Sequence, residues 1–254
     1  MTAAHSPFVQ NDRPNLGIIQ TEHMTFPNWT MFNCVGKPKS CVLCLPGRGL
    51  HASDLAEVWK KACLHETLII GITPKKYCWY PMPYAANDQS EAVQGLPIAR
   101  KEIERVLSKI TNDFSIPRDK IAICGFSAGG VMANYVGMHS QYPLAGVACF
   151  AGAILEPKKV PPCKNSSTPY LLTHAYDDTS FDWEERYLPM KKALIRNKYP
   201  LYAAESSWGG HVVNVSDILL AAYLFSENLG YSDSWREEYS LFRDYDFSVS
   251  EYNI

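Results

Sequence analysis

The stretch Lys120-Ile-Ala-Ile-Cys-Gly-Phe-Ser-Ala-Gly-Gly-Val-Met132 joins an apolar run, a glycine-rich turn and a second apolar segment. This pattern predicts a buried strand, a sharp turn and the start of a helix. Its centre, Gly125-Phe-Ser-Ala-Gly129, matches the G-x-S-x-G pattern in which a serine occupies a strained strand-to-helix turn. The N–H groups at the start of the following helix face the position where an oxyanion develops during acyl transfer. Ser127 is therefore the candidate nucleophile.

The composition of the 254-residue chain argues against several classes of protein. With 46% hydrophobic and 20% charged residues, the chain can bury one large core. The formal net charge of −2 argues against a nucleic-acid-binding surface, which needs a basic face. No apolar run is long enough for a membrane span, and residues 1–14 lack the apolar core of a signal peptide. We therefore expect a cytoplasmic protein with no membrane span and no nucleic-acid partner.

The eight cysteines are scattered through mostly apolar segments, which favours reduced core thiols over a disulfide framework. Cys41 and Cys44 form a C-x-x-C pair, but both fall on a predicted strand, where residues three apart point to opposite faces. No second pair lies at ligand spacing. The sequence therefore implies no metal and no cofactor.

Strand-like runs alternate with helix-like segments along the chain. Strands are predicted at Trp29–Val35, Ser40–Leu45, Thr67–Ile72, Leu144–Phe150, Pro169–His174 and Leu201–Glu205, besides the strand before Ser127. Helices are predicted from a Ser53 or Asp54 cap to Leu64, from Asn87 or Asp88 to Asn112 with a kink or restart at Pro97, over Asp182–Asn197, and from Asn214 or Ser216 to Gly230. The alternation predicts an α/β fold, with a mostly parallel central sheet covered by helices on both faces.

A serine nucleophile needs a base, and the usual base is a histidine that a carboxylate orients. Among the seven histidines, His211 lies in a loop between a predicted strand and the last helix, where its side chain can reach the turn that holds Ser127. Asp177 and Asp178 follow another predicted strand, and either of them can supply the carboxylate. The chain order serine, aspartate, histidine is that of α/β-hydrolases.

With these motifs the chain resembles the phospholipase/carboxylesterase family of α/β-hydrolases, which contains acyl-protein thioesterases and small bacterial carboxylesterases. Gly125-Phe-Ser-Ala-Gly-Gly130 is similar to the family's G-F-S-Q-G-G, and Trp79-Tyr-Pro81 is similar to the W-Y-P of some members. His174-Ala-Tyr-Asp-Asp178 is similar to its H-G-x-x-D, and this selects Asp178 as the triad carboxylate. The resemblance extends from about Ser40 to Leu229 and implies the α/β-hydrolase fold.

The chain departs from the family's pattern at three places. Pro46, in Leu45-Pro-Gly-Arg-Gly49, stands where the family's L-H-G-x-G has histidine. Ala128 replaces the glutamine of the family's G-F-S-Q-G-G, and Thr179-Ser-Phe181 replaces the proline and valine after the aspartate. By position in the family's motifs, the backbone N–H groups of Arg48 and Ala128 would form the oxyanion hole. Backbone donors do not require the missing histidine side chain.

Aromatic and sulfur-containing side chains near these motifs are candidate substrate contacts. They are Trp79, Tyr80, Met82 and Trp208. A pocket that they line beside Ser127 would suit an apolar acyl group, and the alternative is that they belong to the core.

The chain divides into three predicted parts. Residues 1–27 are an irregular lead-in, residues 28–230 form the α/β-hydrolase domain, and residues 231–254 are an aromatic and acidic extension. The extension is too aromatic for a plain disordered tail, so we expect it to pack over the domain or into a second subunit of a homodimer.

These features predict a serine hydrolase that cleaves an ester or thioester of a small molecule or an acylated protein through an acyl-enzyme on Ser127. Asp178 and His211 complete the predicted triad. One alternative is a peptidase or polyester depolymerase of the same fold, although such peptidases usually carry an added domain. Another is a catalytically inactive hydrolase-fold binding protein, which Pro46 favours and the complete set of triad residues disfavours.

Overall fold

An eight-stranded sheet forms the centre of the residues that the computed structural model describes, which are 29–32, 36–62, 64–81, 90–232 and 248–252. The strands are β1 (Trp29–Phe32), β2 (Ser40–Leu45), β3 (Thr67–Ile72), β4 (Ile121–Phe126), β5 (Gly146–Phe150), β6 (Tyr170–Ala175), β7 (Leu201–Ser206) and β8 (Ser248–Tyr252). Their order is β1-β3-β2-β4-β5-β6-β7-β8, with β2 to β7 parallel and the two edge strands antiparallel. The predicted mostly parallel sheet is confirmed.

Helices cover both faces of this sheet, as predicted. They are α1 (Ala52–Trp59), α2 (Ser90–Phe114), α3 (Ala128–Met138), α4 (Leu188–Arg196) and α5 (Val215–Leu229). Because neighbouring strand residues point to opposite faces, Leu43 joins one apolar cluster with α2, α3 and α4, whereas Val42 joins the other with α1 and α5. Within the described ranges, no helix has the length and apolar character needed to cross a membrane.

The first helix begins and ends earlier than predicted. Its N-cap is His51, and it ends at Trp59 before a 3-10 turn, so the predicted cap at Ser53 or Asp54 and the predicted end near Leu64 were wrong. The carboxylate of Asp54 accepts the backbone N–H of His51 at 2.8 Å. The acidic residue therefore completes the cap from the third helical position, as in a capping box.

Two later helices also differ from the sequence pattern. Of the kink or restart predicted at Pro97, the restart is not observed, because α2 continues through Pro97 as one helix to Phe114; the predicted start at Asn87 or Asp88 lies outside the described residues. Burial of apolar side chains on both sides of the proline, such as Leu96 and Ile103, favours the continuous helix. The predicted helix from Asp182 begins with a π-helical turn at Trp183–Tyr187 before α4.

Part of the C-terminal extension belongs to the sheet. β8 pairs with β7, with Ser248 opposite Glu205 and Tyr252 opposite Leu201. The expected packing of the extension on the domain is thus observed for residues 248–252. The predicted lead-in, residues 1–27, lies outside the described residues.

Helix α5 holds the end of the loop that contains His211. Asn214 caps the helix, and its N–H donates to Asp217 at 2.7 Å, while Gly230 ends it in a left-handed conformation, as predicted. Phe225 of α5 is fully buried against β5, where a Cβ on Gly146 would lie 2.3 Å from its ring. The close approach of α5 to the sheet therefore depends on this contact.

We expect the substitution Phe225→Ala to lower the free energy of unfolding by about 3–5 kcal/mol, because it leaves a cavity between α5 and the sheet. Urea titration followed by circular dichroism measures this change. The control Ile98→Ala removes a side chain that is 68% exposed and should shift the free energy by less than about 0.5 kcal/mol. Equal effects of the two substitutions would contradict this account of the packing.

Candidate active site

The turn between β4 and α3 places Ser127 in an unusual backbone conformation. Its φ of 55° and ψ of −120° are strained for a residue with a side chain. The backbone packs tightly around it, because a Cβ on Gly125 would lie 2.1 Å from the carbonyl oxygen of Gly129 and one on Gly129 would lie 1.9 Å from that of Leu45. The N–H of Ser127 donates to the carbonyl of Phe150 at 2.9 Å. Neighbouring strands thus fix the turn.

The three side chains predicted to act together form a continuous hydrogen-bonded line. Ser127 Oγ lies 2.8 Å from His211 Nε2, and His211 Nδ1 lies 2.8 Å from Asp178 Oδ2. In the tautomer with its proton on Nδ1, the imidazole donates to the carboxylate and accepts from the serine hydroxyl. This is the arrangement that a histidine needs in order to remove a proton from serine.

Asp178 is buried, with 3% of its surface exposed, and its second carboxylate oxygen is also satisfied. Oδ1 accepts the backbone N–H groups of Ser180 at 2.7 Å and Phe181 at 3.0 Å. These bonds stabilise a buried negative charge. The segment after Asp178, which departs from the family's motif, therefore supports the carboxylate through its backbone.

The neighbouring Asp177 contacts the histidine loop at a different place. Its carboxylate accepts the N–H groups of Gly209 and Gly210, whereas Asp178 contacts the imidazole. The structure thereby separates the two carboxylates that the sequence left as alternatives.

His174 lies beside Asp178 and the loop that supports it, although no role was predicted for this histidine. Its buried Nε2 lies 2.7 Å from the carbonyl of Phe181 and 3.7 Å from Asp178 Oδ2, and its ring stacks on Tyr187 at a centroid distance of 4.8 Å. Burial lowers the pKa of His174, which favours the neutral ring that donates from Nε2. Its position on a strand four residues before Asp178 is the signal that could have identified it.

The loop after β2 lies beside the candidate nucleophile. A Cβ on Gly47 would be 3.3 Å from Ser127 Cβ, so the backbone that leads to Arg48 passes close to the serine. Ala128 is the first residue of α3, and the first N–H groups of a helix have no helical acceptor. The two predicted oxyanion-hole residues thus flank Ser127 on separate elements.

The four candidate substrate residues occupy different surroundings. Trp79 is buried, and its Nε1–H donates to the carbonyl of Pro46 at 2.8 Å, so it supports the loop of Arg48. Tyr80 is also buried, and burial raises the pKa of its hydroxyl. Trp208 is 81% exposed and lines a cavity of about 660 Å³, whereas Met82 lies outside the described residues. Their role in substrate binding stays a prediction.

Two phenylalanine rings flank the imidazole of His211. The ring centroid of Phe126 lies 5.0 Å from that of His211, and that of Phe181 lies 5.8 Å away. Both phenylalanine rings pack against the imidazole, whose two nitrogens are already hydrogen-bonded. These contacts limit rotation of the imidazole.

The C-x-x-C pair lies in the core, as predicted. Cys41 and Cys44 are fully buried on β2 and belong to the apolar clusters on opposite faces of the sheet. Burial raises the pKa of the Cys44 thiol, which makes it a poor nucleophile. In the described part of the chain, no group of histidine, cysteine and acidic side chains is arranged to hold a metal ion.

Comparison with known proteins identifies relatives by sequence. The family model described as phospholipase/carboxylesterase matches residues 65–200. A Dictyostelium discoideum protein named acyl-protein thioesterase 1 homolog 2 is 30% identical over 91 residues, which are 35% of this chain and 40% of that protein. The match thus spans less than half of the relative's length.

Solved structures share the fold. Esterase PE8 has a TM-score of 0.70 at 22% identity, and the match covers 78% of this chain and 97% of PE8. A phospholipase/carboxylesterase from Dyadobacter fermentans has a TM-score of 0.66 at 20% identity, with 78% of this chain and 96% of that chain covered. The likeness shows the α/β-hydrolase fold that the sequence motifs implied.

The lowered pKa of His174 predicts how stability changes with pH. The unfolded chain takes up a proton at this histidine near the usual pKa of about 6.5, whereas the folded protein resists it. The stabilising contribution is therefore complete above that pH and is lost as the pH falls through it. Between pH 7.5 and 5, the free energy of unfolding should fall less in His174→Gln than in the unsubstituted protein.

Chemical denaturation at each pH measures this difference. The control His65→Gln replaces an exposed histidine and should keep the full pH dependence. An identical pH dependence in His174→Gln and the unsubstituted protein would contradict the assignment of a buried neutral ring.

Proposed function

The chain belongs to the phospholipase/carboxylesterase family of hydrolases, and we propose that it cleaves carboxylic esters or thioesters through an acyl-enzyme on Ser127. The observation that carries this proposal is the line of 2.8 Å contacts from Ser127 Oγ through the His211 imidazole to Asp178. A hydroxyl that donates to a histidine, itself oriented by a buried carboxylate, is the arrangement that activates serine as a nucleophile.

In the acylation step, Ser127 Oγ attacks the acyl carbon while His211 Nε2 takes the hydroxyl proton. The tetrahedral intermediate collapses when the bond to the leaving oxygen or sulfur breaks, and the imidazolium returns the proton to that atom. Water then attacks the acyl-enzyme with His211 again as base, which releases the acid and restores the serine. Asp178 accepts the hydrogen bond from His211 Nδ1 and stabilises the imidazolium.

The oxyanion of each intermediate needs donors that are in place before the reaction. Ala128 is the first residue of α3, and the positive end of the dipole of this helix faces the turn, so the N–H of Ala128 is one candidate donor. Arg48 would supply the second donor from the loop that Trp79 supports at Pro46. Each such donor is worth about 3 kcal/mol of transition-state stabilisation.

The proposed substrates are esters of small molecules or thioesters of acylated proteins. The name of the Dictyostelium relative supports the second class. Oxygen and sulfur leaving groups require the same nucleophile and base, so one site can serve both.

The proposal predicts a large loss of activity on substitution of the line of three residues. In assays with p-nitrophenyl butyrate and a palmitoylated peptide thioester, Ser127→Ala and His211→Ala should each lower kcat on the order of 10⁴-fold or more, and Asp178→Asn by a comparable or smaller factor. The reason is that Ser127 forms the bond to the acyl group and His211 removes its proton.

The matched control is Ser108→Ala, which removes an exposed hydroxyl on α2 and should leave kcat unchanged. Hydrolysis that persists in Ser127→Ala would contradict the proposed nucleophile. A folded unsubstituted protein that cleaves neither substrate would favour the binding-protein alternative.

A further inference from the structure

The histidine of a serine hydrolase must be held both at its ring and at its backbone. Asp178 and the phenylalanine rings hold the imidazole of His211, but its backbone belongs to the loop between β7 and α5. Gly209 and Gly210 precede it with positive φ values of 143° and 67°, which favour glycine, and ordering a glycine costs more conformational freedom than ordering any other residue. The loop therefore needs its own anchor to keep the imidazole over Ser127.

Asp177 is bound to this loop immediately before His211. Its Oδ1 accepts the N–H of Gly210 at 2.8 Å, and its Oδ2 accepts the N–H of Gly209 at 3.3 Å. Two successive backbone N–H groups directed at one carboxylate form an anion-binding concavity of the kind seen at backbone nests. The β6 end of the same turn is joined to β7, because the N–H of Tyr176 donates to the carbonyl of Ser206 at 2.9 Å.

The two neighbouring aspartates therefore contact the same histidine segment at different points. A turn closed by the Asp178 N–H and the Ala175 carbonyl, 3.2 Å apart, lets Asp178 enter the core while Asp177 stays at the surface. Asp178 contacts the ring, and Asp177 contacts the peptide groups one and two residues before it. One short turn thus supplies contacts both to the imidazole and to the backbone just before it.

The charge of Asp177 suits this contact. The N–H of Gly210, and to a smaller extent that of Gly209, lowers the pKa of the Asp177 carboxyl, so it stays ionised at neutral pH. Charged acceptors make the stronger bonds to backbone N–H groups, although exposure to water weakens them. A neutral amide at this position would keep one oxygen acceptor and lose the charge.

We propose that Asp177 is a positioning residue that fixes the His211 loop over Ser127. This inference rests on the proposed function, because positioning matters for catalysis only if His211 is the base.

The test compares Asp177→Ala, Asp177→Asn and the control Asp119→Ala, which removes an exposed carboxylate just before β4, at the end of that strand away from Ser127. With p-nitrophenyl butyrate, Asp177→Ala should lower kcat about tenfold at unchanged KM, because the loss of two hydrogen bonds displaces the base but not the substrate site. Asp177→Asn keeps one oxygen acceptor, which can serve the shorter bond from Gly210, so it should recover part of this loss, and Asp119→Ala should match the unsubstituted protein.

A readout that does not depend on turnover is the proton NMR signal of His211 Nδ1–H in its bond to Asp178. We expect this signal in the unsubstituted protein and in Asp177→Asn, and its broadening or loss in Asp177→Ala. A wild-type kcat together with an unchanged signal in Asp177→Ala would overturn the proposal. A fall in kcat that only follows a fall in melting temperature, with no rescue by asparagine, would also overturn it.

The two readouts separate this inference from the proposed function. If the unsubstituted protein hydrolyses neither esters nor thioesters, the proposed function fails, and the NMR signal alone decides on Asp177. Its loss in Asp177→Ala then supports the positioning role, and its persistence contradicts it.

Discussion

The backbone of Ser127 keeps its positive φ because the turn that follows β4 is packed against β2 and hydrogen-bonded to the end of β5. The glycine backbone before and after the serine packs within van der Waals contact of the turn and of β2, and the Ser127 N–H is bonded to the end of β5. A side chain at Gly125 or Gly129 would overlap backbone atoms, so the sheet can close around the turn only with glycine there. The local strain is thus offset by long-range packing, which also aims the serine side chain out of the sheet.

The remaining parts of the candidate site follow from this parallel sheet. The loops that carry the site follow the C-terminal ends of four parallel strands, which lie on the same side of the sheet. The loop after β2 carries the Arg48 backbone, the turn after β4 carries Ser127, and the loops after β6 and β7 carry the aspartate pair and His211. Buried groups beneath these loops hold them in place. His174 and Phe181 support Asp178, and Trp79 supports Pro46. The site is therefore assembled from short contacts between loops rather than from one rigid element.

The sequence predicted those elements whose bounds depend on local pattern and composition. β2 and β3 have the predicted bounds because each is a continuous apolar run, and α5 begins and ends at recognisable caps. The choice between Asp177 and Asp178 needed either the family motif or the structure, since both follow the same strand. β8 was not predicted, because its short alternating pattern acquires meaning only from pairing with β7. The support given by His174 and Trp79 depends on burial and on distant partners, which residue type alone does not reveal.

The central claim is that Ser127 is the nucleophile of a covalent reaction. Its most direct test is intact-protein and peptide mass spectrometry after treatment with a fluorophosphonate, which phosphonylates activated serines. We expect one adduct per chain, located on Ser127, and its formation should require His211 as the base. An adduct on another residue, or none in a protein that still hydrolyses esters, would contradict the account.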